Sequence, residues 1–165
     1  MHQYINEMKE HEFVLWVIGA NAKDKGKFVY ELPKNVVEVH EVFLDDALRL
    51  KDSGKMLHAF TEEETNSLKE LMLCRRPNWE ILFRLYHDQK LNPMSFLRSE
   101  EFLNILTECC IKDYPYTPFA DAFHTMRSML LPVLYLMGSE VPKADVYHAI
   151  CTGYGGLLAC LAAML

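Results

Sequence analysis

From Asp145 the chain reads DVYHAICTGYGGLLACLAAML. A short apolar segment, Val146 to Ile150, leads into a Gly-dense turn, Cys151 to Gly156, and then into a stretch without a charged side chain that runs to Leu165. The pattern predicts a strand, a glycine turn and a helix in succession. In α/β proteins such a unit sets a helix N-terminus and free backbone N–H groups at the carboxyl edge of a parallel sheet, where anionic ligands bind. A helix that is apolar all round needs cover all round. The expectation is therefore that these residues belong to a domain larger than the 165 residues themselves.

Upstream, Phe13 to Ala20 (FVLWVIGA) is a continuous apolar run, the pattern of a strand buried on both faces at the centre of a parallel sheet. Tyr4, Ile5 and Met8 suggest the last turns of a helix over residues 2–9. Lys27 to Leu32 alternates before a turn at Pro33 to Asn35, and Val36 to Phe43 (VVEVHEVF) reads as a second strand with Glu38, His40 and Glu41 as its polar positions. The period then changes. From about Thr61 to Met137 the signal is helical: Thr61 caps an acidic first turn, and Asn78 to Asp88, Ser95 to Cys110 and Pro118 to Leu136 follow, with Pro132 expected to kink or restart the last. A simple crossover between strands needs only about a dozen residues. The fold class these patterns point to is α/β, a parallel sheet with a large helical insertion at about 61–137.

Charge removes one class of partner. A net charge of −6 leaves no basic face for a phosphate backbone, so no nucleic-acid partner is expected. No apolar run reaches the length of a membrane span, and MHQYINEMKE at the start lacks the apolar core of a signal peptide; the expected location is cytoplasmic. The cysteines Cys74, Cys109, Cys110, Cys151 and Cys160 form no CxxC pair, and all five read as small apolar side chains.

Gly153, Gly155 and Gly156 do not make the dinucleotide fingerprint GxGxxG. They either let the helix approach the strand closely or leave backbone amides open to a ligand. His148 is correspondingly either a satisfied core histidine or a ligand contact at a strand end. Taken singly, neither residue decides.

The stretches HQYINEMKEHEFVLWVIGA (2–20), ELPKNVVEVHEVFLDD (31–46) and VPKADVYHAICTGYGGLLACLAA (141–163) resemble the amino-terminal part of PelF-type glycosyltransferases, which build the Pel exopolysaccharide of biofilms. The resemblance implies a retaining family 4 enzyme of GT-B architecture, with two Rossmann-like domains across a cleft, of which residues 1–165 correspond to the acceptor-side domain. It implies a UDP-sugar as co-substrate, a hexose or N-acetylhexosamine, a polysaccharide acceptor, no cofactor and no metal ion, and membrane-bound Pel biosynthesis proteins as partners. No Asp-x-Asp cluster sits on a strand end, which agrees with the absence of a metal.

It also implies that His148, with Thr152, Gly153 and Gly155 in the turn, faces the donor sugar as substrate-binding residues, and it assigns no catalytic residue to this half. Where many members carry His-x-His this chain has His148-Ala149-Ile150, so one imidazole is available there. The family's first strand and Gly-Gly loop precede the position of Met1, which implies a Rossmann-like sheet with its first strand missing, and the family's Glu-x7-Glu pair belongs to the second domain. Glu62 with Glu70 and Glu100 with Glu108 share that spacing, but as solvated charges on the helical insertion. The short chain alone is on this view inactive, and its unpaired strand edges favour association. A reading of another class is a non-catalytic protein-binding module whose helical block offers Trp79, Phe83, Tyr86, Tyr114 and Tyr116 as a docking surface.

Overall fold

A computed structural model describes residues 1–51, 58–88 and 90–165. In chain order its elements are α1 (His2–Glu7), β1 (Phe13–Gly19), β2 (Val36–Phe43), α2 (Glu62–Met72), α3 (Trp79–His87), α4 (Pro93–Phe96), α5 (Glu100–Lys112), α6 (Phe119–Leu136) and α7 (Tyr154–Met164). The fold is α/β. The chain divides into two compact units, Met1–Arg49 with Ser139–Leu165, and Leu50–Gly138.

The first unit is organised by one ladder. β1 and β2 run parallel, with Trp16 opposite His40, Val17 opposite Glu41 and Gly19 opposite Phe43. The Phe43 ring lies over Gly19 so closely that a Cβ there would sit 2.7 Å from its edge. Asn35, just before β2, gathers the start of the chain: its side-chain amide donates to the carbonyls of Ile5 (2.9 Å), Met8 (3.1 Å) and His11 (3.3 Å). One polar side chain thus closes the carboxyl end of α1 and fixes how the chain enters β1.

Two expectations need correction here. Val146–Ile150 is not a strand. A strand exists through its ladder, and this segment makes no backbone–backbone hydrogen bond among the described residues, while Val146 is 81% exposed. The alternating stretch Lys27–Leu32 joins no strand, with Val29 and Tyr30 exposed. β1 is not a central strand either: among the described residues it pairs with β2 alone, and each of its residues is only part-buried.

The second unit is helical, with α2 against α3 and α5, and α6 against α4 and α5. Leu68, Met72, Leu82, Leu85, Phe96, Phe102, Leu106, Leu130 and Leu134 form its buried core. Local chemistry sets the boundaries. Thr61 and Glu64 form a reciprocal capping box at the start of α2. Although burial pushes the other way, the Thr61 N–H and the His58 ring hold the Glu64 carboxyl below its ordinary value. The expected helix over Ser95–Cys110 is two helices, because Ser99 leaves the helical path to accept the Phe102 N–H and cap α5. Pro132 does not restart α6, which runs through it as one helix. The carbonyl that Pro132 leaves without a helical partner belongs to Ser128, which is exposed and open to water.

Charges tie the helices together at the surface. Glu108 accepts from Lys112 one turn on and from Lys69 of α2, and Arg75 reaches Asp113 and Glu70. Hydrogen bonds from Lys112 and Lys69 hold the Glu108 carboxyl down to about 2.

Two outcomes are expected. Gly19→Ala should lower stability by about 1–3 kcal/mol, because the new methyl group meets the Phe43 ring, and the added change Phe43→Leu should recover part of the loss in thermal melts. Glu108 has a folded pKa below its unfolded value, so its contribution is complete above the unfolded value and fades as pH falls from 4.5 towards 2. Glu108→Gln should therefore flatten the acid limb of the stability profile over that window.

Candidate functional site

Two loops offer backbone donors in the first unit, and they differ in what already occupies them. The loop after β1 carries a short 3-10 turn, Ala22–Asp24, capped by the Asn21 side chain on the Lys23 N–H at 2.9 Å. The Ala22 N–H donates to Asp45 Oδ1 at 3.1 Å, and the Gly26 N–H donates to both Glu41 oxygens at 3.1 Å. Carboxylates from β2 and the turn after it thus fill the positions an external anion would take. This loop is closed as an anion site.

The turn before α7 has the opposite character. Gly153 occupies the cap with φ 73° and ψ −129°, a backbone conformation essentially restricted to glycine. Its carbonyl accepts the Leu157 N–H and so starts the helix, but no side chain caps the first turn. The N–H groups of Tyr154, Gly155 and Gly156 have no hydrogen-bond partner among the described residues, the usual state of a helix start that lacks a capping side chain. The helix begins at Tyr154, three residues before Leu157, because Gly155 and Gly156 belong to its first turn.

The glycines now separate by role. A Cβ on Gly156 would meet nothing within 4 Å, and one on Gly155 would meet only the Cys151 sulfur at 3.0 Å. Close approach to a neighbouring backbone does not explain them. Gly153 is required for its torsion angles.

His148 is exposed, so it is not a core histidine. Its ring stands edge-on to Tyr4 at 6.0 Å between centroids, and Tyr4 in turn stands edge-on to Phe13. Thr152 and Gly153 are exposed, and Gly155 is half-buried. All four expected site residues therefore lie on one surface segment, 148–155, without the strand expected to hold His148. The sequence reading missed Tyr4, Glu41 and Asp45. Of these, only Glu41 carried a signal, as a polar position in a strand. His40 carries a further imidazole, but its Nε2 is buried without an aligned partner even though Glu38 Oε1 lies 2.9 Å away.

Elsewhere, Cys109 is buried and its thiol is pushed up by that burial, but Cys74, Cys151 and Cys160 are exposed, against the expectation of buried apolar roles. No three His, Cys, Asp or Glu side chains converge at metal-binding distances among the described residues. No helix among them is long and apolar enough to cross a membrane.

The profile of a family described as a domain of unknown function, DUF3492, matches residues 1–165, and the chain belongs to that family. No curated protein and no solved structure matches it.

The turn makes a paired prediction. Gly153→Ala should destabilise the protein by about 1–3 kcal/mol through strain at positive φ, whereas Gly156→Ala should be neutral or stabilising by up to about 1 kcal/mol, as in any open helical position. Denaturant melts of the two variants measure both.

Proposed function

We propose that this domain is part of a retaining glycosyltransferase that transfers a sugar from a UDP-sugar to a growing exopolysaccharide of the Pel type, acting in the cytoplasm. The observation that carries the reading is the sequence resemblance over 2–20, 31–46 and 141–163. The exposed imidazole of His148, shortly before an uncapped, glycine-started helix in the chain, supports it, because those groups suit a ligand with hydroxyls and a diphosphate.

In this proposal His148, Thr152, Gly153 and Gly155 face the donor sugar, and a second domain binds the nucleotide. Sugar transfer with retention asks this half for position and polarity. Its task is to hold the acceptor in line and to place donors where charge develops on the leaving phosphate. Neither a metal ion nor a cofactor enters the scheme, and membrane-bound Pel biosynthesis proteins are the partners it implies.

The second reading, a non-catalytic protein-binding module, draws on the exposed Tyr114 and Tyr116. Phe83 is buried in the core and Trp79 and Tyr86 are part-buried, so the expected docking surface reduces to one end of the helical unit.

The test is His148→Ala in the intact enzyme. Turnover of UDP-sugar, followed as UDP release, should fall roughly 30- to 1,000-fold, the effect of losing one transition-state hydrogen bond, with an unchanged melting temperature. Unchanged turnover together with a lower melting temperature would make His148 structural and contradict the assignment.

A further inference from the structure

The end of the helical unit formed by the close of α2, the close of α5 and the start of α6 carries an ordered apolar tip. The Thr117 N–H donates to the Tyr114 carbonyl at 3.0 Å, closing a tight turn over Tyr114-Pro115-Tyr116-Thr117, and Pro118 then caps α6. Two prolines fix the backbone on either side of Tyr116. Tyr116 is 98% exposed, and Ile111 (69%), Phe119 (45%) and Tyr114 (38%) are exposed around it. Their exposed fractions correspond to roughly 500 Å² of largely apolar surface at the usual size of such side chains, the size of the largest apolar patch of an ordinary monomer, which is often functional. The turn is already ordered, so docking it costs little conformational entropy.

The charges around the tip indicate the occupant. Lys112 is paired with Glu108 and Arg75 with Asp113, so these four leave no net field. Without a cationic field the tip does not suit an anionic lipid surface. Two exposed charges, Arg76 in the loop after α2 and Asp121 in the first turn of α6, have no partner among the described residues, and they are of opposite sign. The Arg75–Asp113 ion pair brings the close of α2 to the close of α5, beside the tip. An apolar centre with one free cation and one free anion at its rim is self-complementary under a two-fold axis, where each charge of one copy meets the other charge of its partner.

We infer that this end of the helical unit is a homodimer interface, with the Tyr116 tips packed together and Arg76 of each copy facing Asp121 of the other. Two such tips bury about 1,000 Å², the low end for a specific interface, so the dimer is weak, with a dissociation constant on the order of micromolar to hundreds of micromolar.

Sedimentation velocity on the full protein over a range of concentrations tests this. Self-association should be weakened roughly tenfold or more by Tyr116→Ser, as expected for a central aromatic anchor, with the melting temperature unchanged because the side chain is exposed. Arg76→Asp and Asp121→Arg should each weaken it several-fold, and the double variant should restore it. A protein that stays monomeric throughout overturns the inference. So does a dimer indifferent to Tyr116→Ser, or a double variant as weak as the single ones.

Discussion

Parallel pairing of β1 with β2 is the constraint on which the first unit depends. Two parallel strands cannot be joined by a tight hairpin, so the chain must travel from the carboxyl end of one to the amino end of the other. Here residues 20–35 make that journey without an α-helix. The connection is fastened at both ends by side chains instead. Glu41 and Asp45 hold its start, and Asn35 ties its finish to the residues before β1. Fixing the loop this way consumes its backbone donors, which is why the loop after β1 is closed to anions and the turn before α7 is the candidate site.

The second unit rests on different physics. Its core is leucine, methionine and phenylalanine, and its helix boundaries are written by single capping residues: Thr61, Asn78, Asn92 and Ser99. Each accepts a backbone N–H in the first turn and so ends the preceding segment as firmly as it starts the next helix. The surface ion pairs join helix ends across this core without creating a buried charge. Their exposure means that they orient the helices more than they stabilise them.

How much could be read from the sequence follows the range of the interaction responsible. Helix starts were legible because a cap acts within four residues, as at Thr61 and Asn78. β1 and β2 were legible because an apolar run and an alternating run each have a distinct period. Val146–Ile150 misled because strand propensity is local whereas a ladder requires a partner elsewhere. The split at Ser99 was overlooked although Arg98-Ser99-Glu100-Glu101 interrupts the apolar pattern with a cap and an acidic first turn. At the candidate site, the glycine turn was visible, but the reason for Gly153 was not, since torsion angles leave no trace in composition. The neighbour of His148, Tyr4, comes from the far end of the chain and carried no local signal.

The candidate site is spare: one exposed imidazole, a glycine that sets a helix start, and the uncapped amides that follow it. Such an arrangement can receive hydroxyl and phosphate oxygens, which suits the proposed role of positioning a sugar while bond breaking is driven by stabilised leaving-group charge. The central claim is therefore about stereochemistry as much as identity. Proton NMR of the glycosidic product formed by the intact enzyme from a UDP-α-sugar tests it most directly. The account predicts an α-linked product at the first turnover, and a β-linked product would contradict it.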